Sequence, residues 1–172
     1  KEHLEYTRLR RNYRLMDSFD QQYMVFQNIH RFRSIPEIEI VLPNGGAWKQ
    51  AETICNFVNN LSEELVSPEE LMSDHDPSIA SLGRMLQEYR TILTEANLMD
   101  FSSIQIEAYR LLCDNEGILN ELRSAITHIM VDEYQDTNYI QEQLVFLLAG
   151  ERKNICVVGD DDQGLYRFRG AT

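Results

Sequence analysis

The fold is decided by the stretch from Ile126 to Asp160, which reads ITHIMVDEYQDTNYIQEQLVFLLAGERKNICVVGD. Two short, mostly apolar runs, 126–131 and 154–158, have the length of strands, and the segment between them, 138–149, has helical spacing. A strand, a helix and a strand within about 33 residues predict a βαβ unit with parallel strands and a right-handed crossover. Because a parallel sheet needs both faces covered, the rest of this sheet must be missing or supplied elsewhere.

Helical patterns fill the chain before this unit. Behind Asp17 and Ser18, which can cap a helix, aromatic residues at i, i+4 and i+7 predict a helix to about Phe32. The residues that follow this spacing are Phe19, Tyr23, Phe26, Ile29 or His30, and Arg33. Further helices are predicted over 47–61, from a capped start at Ser67, over 77–97, over 100–112 and around 117–123, whereas 35–46 is predicted to be loop or short strand.

The sequence also predicts which residues face the core in the second helix and how the helix near Ser67 begins. In the second helix, Trp48 is predicted to share the apolar face with Ala51. At the start near Ser67, the serine is expected to cap, Pro68 to occupy the first turn, and Glu70 to close a capping box. The fold class is therefore α/β. A mainly helical insertion covers roughly 18–97, and the core is divided between a lead-in, 1–17, and a second part, 98–172.

Composition and charge limit the function. The 172 residues are 43% hydrophobic and 26% charged, which excludes a disordered or collagen-like chain. The net charge of -12 argues against a protein that coats nucleic acid non-specifically. Residues 1–50 nevertheless carry 8 basic and 6 acidic side chains, whereas 51–172 carry 8 basic and 22 acidic ones. A polyanionic partner must therefore be bound locally.

The cysteines and the hydropathy pattern indicate the cellular location that is expected for the protein. The three cysteines lie far apart without a C-x-x-C spacing, so neither a disulfide framework nor a structural zinc site is predicted. A reducing, cytoplasmic location is the expectation. No apolar run reaches the roughly 18 residues that span a bilayer, so no membrane partner is expected.

Acidic residues follow both predicted strands. Asp132 and Glu133 come after the first strand, and the run from Gly159 to Gln163 follows the second. Because open parallel sheets bind ligands beyond the carboxyl ends of their strands, both clusters should face one crevice. An aspartate there can hold Mg²⁺ through water, a glutamate can activate water, and a glutamine can orient it. The alternative is that these acids are ordinary solvated loop residues.

These residues carry a resemblance to a known family. The segment 131–138, VDEYQDTN, resembles motif II (the Walker B segment) of the UvrD/Rep/PcrA-like superfamily 1 DNA helicases, and 158–171, VGDDDQGLYRFRGA, resembles their motif III. Two weaker similarities, 97–101 and 13–17, extend the resemblance over essentially the whole chain.

The resemblance implies a partial RecA-like P-loop NTPase core that uses ATP and Mg²⁺. It assigns Mg²⁺ coordination to Asp132, the role of general base to Glu133, and recognition of the γ-phosphate to Gln163. It also assigns Arg169 to the nucleotide site.

For DNA, the resemblance implies that Tyr166 and Phe168 stack on bases, with Arg167 beside them. The expected partner is single-stranded DNA or a single-strand/double-strand junction, with 3'-to-5' polarity. This sequence departs from the family where Gly164 replaces a frequent serine and Phe168 a frequent tryptophan. Ser102 and Ser103 likewise stand where many relatives have acids, which leaves the role of that segment open.

A phosphate-binding loop G-x-x-x-x-G-K-[ST] is absent from the 172 residues. In the resembled family this loop precedes the matching region, and a second core domain completes the ATP site. The chain is therefore expected to be an internal piece of a helicase, to need the rest of that chain as a partner, and not to hydrolyse ATP alone. Two alternatives remain open: a helicase-nuclease subunit of the same superfamily, and a non-catalytic DNA-binding or interaction module.

Overall fold

The computed structural model describes residues 4–160 with the exception of 8, 11 and 43. The elements within these residues are mostly helical, with short strands. In chain order they are β1 (Arg14–Leu15), α1 (Ser18–Gln27), α2 (Ile29–Arg33), α3 (Ala47–Glu63), α4 (Pro68–Met72), α5 (Pro77–Ala96), β2 (Leu98–Met99), α6 (Phe101–Asp114), α7 (Glu116–Ala125), β3 (Ile129–Val131), α8 (Tyr139–Ala149) and β4 (Ile155–Val157).

The chain divides into two compact units. The first comprises residues 1–62 and 66–104, and the second 63–65 and 105–172. The assignment of 1–17, 18–97 and 98–172 to a lead-in, an insertion and the second part of a core stays a prediction. Over the residues that the structure describes, no helix has the length and hydropathy needed to cross a bilayer.

The first unit contains a small sheet that the sequence did not predict. β1 and β2 are parallel, with Arg14 opposite Leu98 and Leu15 opposite Met99. The Met16 amide extends the ladder by donating to the Met99 carbonyl at 2.7 Å. The sequence allowed a short strand before Ile126 only at 35–46 and missed β1 and β2, because two-residue strands are too short to show a period of two.

The predicted helix from Phe19 to Phe32 is interrupted. α1 ends at Gln27, and α2 begins at Ile29. Between them, the Asn28 side-chain amide donates to the Met24 carbonyl at 2.9 Å. An asparagine side chain that binds nearby backbone groups competes with helix propagation, which accounts for the break.

The residues whose spacing predicted α1 are not the ones that it buries. The side chains of Phe19, Tyr23 and Phe26 are exposed, while Met24 and Val25 are buried. Together with the buried Gln21, Met24 and Val25 also have helical spacing, i, i+3 and i+4, so periodicity alone could not choose between the two sets. The same error affects α3, where Trp48 is exposed although Ala51 is fully buried.

The other helices of this unit begin and end close to the predicted residues. α5 has Asp76 as its N-cap, which accepts from the Ser78 amide, and Asn97 in the left-handed region as its C-cap. α4 has the predicted Pro68 in its first turn, and its Ser67 cap accepts from the Glu70 amide. The prediction that Glu70 closes a capping box was wrong, since the carboxylate that pairs with this cap is that of Glu69, which accepts from the Ser67 hydroxyl at 2.7 Å.

The core of the first unit lies between α1, α2, α3 and α5. Its buried apolar side chains are Met16, Met24, Val25, Phe32, Ile38, Leu42, Ala51, Ile54, Cys55, Val58, Met85, Leu86, Tyr89, Ile92 and Leu93. Buried residues of α3 and α5 belong to this one cluster, as is typical of amphipathic helices that bury their apolar faces in a common core.

A buried polar network crosses this core. The Gln21 side-chain amide donates to the Asn59 side-chain oxygen (Oδ1) at 2.7 Å and to the Tyr89 hydroxyl oxygen at 2.8 Å. The Tyr89 hydroxyl in turn donates to the Asp100 carboxylate. The other carboxylate oxygen of Asp100 accepts from the Ser103 amide at 2.6 Å and so caps α6. These bonds satisfy polar groups that would otherwise be costly to bury, and they connect α1, α3, α5 and the start of α6.

Burial beside this network perturbs a thiol. Burial first, and then the charge of Asp100, raise the pKa of Cys55 to about 12, and burial also raises the pKa of Tyr89 well above its ordinary value. An acid whose pKa is higher in the folded state keeps its proton there while the unfolded chain loses it. The resulting stability is fully present below the ordinary thiol pKa of 9.0 and is lost as the pH rises toward 12.

We therefore expect the free energy of unfolding to fall between pH 8 and pH 10, with Cys55 contributing about 1 kcal/mol of the loss. Urea unfolding at the two pH values measures this difference. The Cys55→Ala variant should lose less stability over the same interval. Equal losses in the variant and the unchanged chain would contradict a buried, proton-retaining thiol.

Gly83 permits close packing between α4 and α5. A Cβ atom at position 83 would lie 2.7 Å from the Met72 amide nitrogen and 2.8 Å from the Pro68 carbonyl oxygen. Both neighbours are backbone atoms, which cannot move aside as a flexible side chain can. The absence of a side chain at Gly83 is thus required by the contact between the two helices.

Gly83→Ala should destabilise the protein by about 1–3 kcal/mol because it overpacks this contact. Gly117→Ala is the matched control, since nothing lies within 4 Å of a Cβ at that helical position. The control should be neutral or stabilising by up to about 1 kcal/mol, because alanine favours helix more than glycine does. Thermal midpoints of the two variants test the difference. Similar midpoints would contradict the close approach of α4 and α5.

The second unit contains the predicted strand–helix–strand order. α7 extends to Ala125, where the Ile126 amide donates to the Leu122 carbonyl. β3 consequently begins at Ile129, and the prediction of a strand from Ile126 was wrong over its first three residues. The small core of this unit is formed by Leu112, Ile118 and Leu119, with Leu111, Leu122, Leu144, Leu147 and Leu148 packed against them. The helical spacing that predicted α8 includes Leu144, Leu147 and Leu148, and all three pack in this core.

Candidate functional site at the carboxyl ends of two parallel strands

The site is built on the pairing of β3 with β4. The two strands are parallel, and Val131 lies opposite Val157. The ladder continues past the last strand residues, because the Val158 amide donates to the Val131 carbonyl at 2.8 Å and the Tyr134 amide to the Val158 carbonyl at 3.0 Å. The segments that follow the two strands therefore lie side by side.

The acidic pair follows β3 directly. Asp132 and Glu133 are both exposed. The Asp132 carboxylate accepts from the Glu133 amide at 3.0 Å. Glu133 has a φ of 52°, in the left-handed region that non-glycine residues adopt uncommonly. This turn takes the chain away from the strand direction, so the two carboxylates stand at the edge of the sheet.

Gln135 bridges the two segments, and the sequence had given it no role. Its side-chain nitrogen donates to the Glu133 carboxylate at 2.6 Å. Its side-chain oxygen accepts from the backbone amide of Asp160 at 3.0 Å. One amide group thus orients the carboxylate of Glu133 and holds the backbone after β4. A glutamine can do both because it carries a donor and an acceptor on the same group.

Gly159 allows this bridge to form. A Cβ atom at position 159 would lie 2.7 Å from the Gln135 side-chain oxygen and 3.3 Å from the Tyr134 amide nitrogen. Any side chain there would displace the glutamine or separate the two segments. Close packing therefore explains why the residue between Val158 and Asp160 is a glycine.

Two further contacts hold the segment after β3 in position. The Tyr134 hydroxyl donates to the Glu142 carboxylate of α8, and this hydrogen bond raises the pKa of Tyr134. Asn138 caps α8 in a reciprocal capping box with Gln141, and Asn138 is buried. The turn from Glu133 to Asn138 is thus fixed at both ends.

The carboxylates fit a magnesium ion that is shared with a phosphate ligand. Among the described residues, no group of three or more His, Cys, Asp or Glu side chains is arranged to hold a metal ion. Mg²⁺ is commonly bound by one or two carboxylates, with waters and substrate phosphates completing its octahedron. The exposed carboxylate of Asp132, directly after a parallel strand, is a side chain that could take one position of such a shell.

The remaining predicted site residues lie outside the described residues. They are Gln163, Tyr166, Arg167, Phe168 and Arg169. Of the predicted site, the structure describes Asp132 and Glu133 and brings them beside the backbone of Asp160 through Gln135. The roles assigned to all seven residues stay predictions.

The fold and the site define a mostly helical protein with a parallel βαβ unit and acidic residues at its strand ends. Comparison with known proteins gives the family: residues 1–172 match the UvrD/REP helicase N-terminal domain, and the chain belongs to this family. The predicted resemblance is confirmed.

The names of individual relatives are consistent with this family. The chain is 36% identical to DNA helicase II of Salmonella typhimurium over 115 residues, 67% of this chain and 16% of the relative. It is 32% identical to DNA helicase II of Haemophilus influenzae over 165 residues, 95% of this chain and 21% of the relative. It is 37% identical to ATP-dependent DNA helicase UvrD1 of Mycobacterium bovis over 130 residues, 69% of this chain and 17% of the relative. The chain thus spans about a fifth of the length of these relatives or less.

The Gln135 bridge can be tested by measuring hydrogen exchange at the backbone amide of Asp160. In Gln135→Ala, the backbone amide of Asp160 loses its acceptor, and its hydrogen exchange should become about 5-fold faster, as the loss of a hydrogen bond worth about 1 kcal/mol implies. Gln135→Glu keeps an acceptor oxygen but loses the donor to Glu133. The Asp160 amide should therefore stay protected in this variant. Equal acceleration in both variants, or in neither, would contradict the bridge.

Proposed function

We propose that the chain is part of an ATP-dependent DNA helicase and forms one wall of its magnesium-nucleotide site. The observation that carries the proposal is the Gln135 bridge between the segments after β3 and β4. It joins the segment that resembles motif II to the first residues of the segment that resembles motif III. The names of the relatives, DNA helicase II and ATP-dependent DNA helicase UvrD1, support the same activity.

A RecA-like core with a right-handed crossover is part of the proposal. The parallel order of β3 and β4, with α8 between them, supports it. Met130 is 79% exposed, and Val157 and Val158 are also exposed. Because parallel sheets have both faces covered, we infer that other parts of the helicase chain cover these side chains.

The proposed insertion over 18–97 has support of its own. The chain enters this segment after β1 and leaves it at β2, and these two strands are hydrogen-bonded neighbours. A segment whose ends meet can be added to a core with little disturbance of either strand. We therefore propose that 1–17 and 98–172 belong to the core and that 18–97 is its helical insertion.

Each residue of the nucleotide site has a proposed chemical role. Asp132 would hold the magnesium ion, which neutralises phosphate charge when it is bound with ATP. Glu133 would accept the proton of the attacking water as general base, and Gln135 would hold that carboxylate in position. Gln163 would contact the γ-phosphate, and Arg169 would add positive charge to the nucleotide site.

The DNA contacts would follow directly along the chain. Tyr166 and Phe168 would stack on the bases of a single strand, and Arg167 would meet its phosphates. The hydrogen bond from the Asp160 amide to Gln135 supports coupling, since any shift of the Glu133 turn would be transmitted to the segment leading into these residues. The proposed substrate is single-stranded DNA or a single-strand/double-strand junction, with 3'-to-5' movement, in the cytoplasm.

In the complete helicase, Glu133→Gln should lower DNA-stimulated ATP turnover by about 100-fold or more, because the general base is removed while the side chain keeps its shape. Steady-state phosphate release in the presence of oligothymidylate measures the effect. The matched control is Glu151→Gln, which removes an exposed acid between α8 and β4, and it should keep full turnover.

Full turnover in Glu133→Gln would contradict the role of Glu133. A complete protein without DNA-stimulated turnover would contradict the activity itself. The 172-residue chain, which has no phosphate-binding loop motif, should show no turnover, and measurable turnover by this chain would contradict the proposed dependence on that loop.

A further inference from the structure

Four aromatic side chains form an exposed patch on the first unit. They are Phe19, Tyr23 and Phe26 of α1 and Trp48 of α3, and they are 64%, 46%, 37% and 42% exposed. We call these four residues the aromatic patch. Exposed aromatic residues that stand in contiguous groups mark interaction sites more often than singly exposed ones do.

The rings contact one another in a closed arrangement. Phe19 and Tyr23 are nearly parallel, with centroids 6.4 Å apart, and Tyr23 and Phe26 are also 6.4 Å apart. Trp48 closes the group at 5.9 Å from Phe19 and 5.6 Å from Phe26. The Gln22 side chain, which donates to the Trp48 carbonyl at 3.2 Å, holds the start of α3 against α1. The rings are therefore positioned by each other and by the two helices.

The spacing and chemistry of the patch suit a single nucleic-acid strand. The two steps of 6.4 Å along α1 are close to twice the rise of about 3.4 Å between stacked bases. Alternate bases of one strand could thus meet successive rings. Stacking between bases and aromatic side chains tolerates any sequence, as a translocating enzyme requires.

Two basic side chains lie close to Trp48 along the elements that carry or follow the patch. Arg33 on α2 donates to the Gln50 side chain at 2.9 Å, which brings its guanidinium group beside the first turn of α3. Lys49 follows Trp48 in that turn, and both basic side chains are exposed. The acid Asp20 is paired with Arg14 at 2.7 Å. Aromatic side chains close to positively charged side chains are the combination that binds single strands.

We propose that the aromatic patch binds single-stranded DNA, with Arg33 and Lys49 contacting its phosphates, as a second DNA contact separate from Tyr166 and Phe168. The proposal rests on the proposed function, since it assigns an additional surface for the same substrate. It also agrees with the charge balance of residues 1–50, which carry 8 basic and 6 acidic side chains in an otherwise acidic chain.

Trp48 is the only tryptophan of the chain, so its fluorescence reports on the patch directly. Addition of an oligothymidylate of about 16 nucleotides to the 172-residue chain should quench this fluorescence saturably. A duplex of equal length should compete more weakly, because paired bases cannot stack on the rings. Absence of quenching, or equal competition by the duplex, would overturn the proposal.

Single substitutions distinguish the contribution of base stacking to DNA affinity from the contribution of phosphate contacts. Phe19→Ala should weaken binding by about 10-fold, as the loss of one stacked base implies, and Phe19→Tyr should restore it. Lys49→Gln should flatten the dependence of affinity on salt by about one phosphate contact, whereas Phe19→Ala should leave this dependence unchanged. Ile40→Ala is the matched control, since Ile40 is an exposed apolar side chain outside the patch. Equal affinity of Phe19→Ala and Ile40→Ala would overturn the proposal.

The same variants in the complete helicase distinguish this inference from the proposed function. Fluorescence anisotropy of labelled oligothymidylate measures affinity there. A loss in the Tyr166→Ala/Phe168→Ala variant together with no loss in Phe19→Ala would overturn the aromatic patch as a DNA contact and leave the helicase function standing. No binding by the unchanged helicase would overturn both. Unchanged DNA affinity with loss of a protein partner in Phe19→Ala would identify the patch as a protein interface and overturn the proposal.

Discussion

Parallel strand pairing is the constraint on which the rest of the structure depends. Parallel neighbours cannot be joined by a tight turn, so the chain must leave one strand and return to the same end of the next. Between β1 and β2 the chain forms α1 to α5, and between β3 and β4 it forms α8. The carboxyl ends of each pair consequently coincide, and polar residues that follow distant strands become neighbours.

Side-chain hydrogen bonds at these strand ends fix the positions of the residues that lie side by side there. After β2, Asp100 caps α6 and accepts from Tyr89, which ties the strand end to the helical core. After β3, Gln135 holds the Glu133 carboxylate and the Asp160 amide with one side chain. In both cases a polar group is satisfied twice, and its loss would leave partners without a bond.

Much of this arrangement could be predicted from local signals. The caps Asp76 and Ser67, the helix of residues 77–96 and the parallel strands around Val131 and Val157 follow from residue types and spacings whose effects are short in range. The family could also be recognised from the segments 131–138 and 158–171. The error at α1 had a physical cause, because its aromatic stripe and its buried stripe of Gln21, Met24 and Val25 both have helical spacing. Only packing against α3 and α5 decides which stripe is buried.

The sequence by itself determined where most helices begin and end, which residues follow each strand and to which family the chain belongs. Caps, periodicity and contiguous motifs act over a few residues, and they are therefore readable without tertiary contacts. The tertiary structure alone decided the pairing of β1 with β2, the exposure of Phe19 and Trp48, and the bridge made by Gln135. Each of these depends on residues far apart in the chain, since the burial of a side chain is set by what packs against it rather than by its neighbours in sequence.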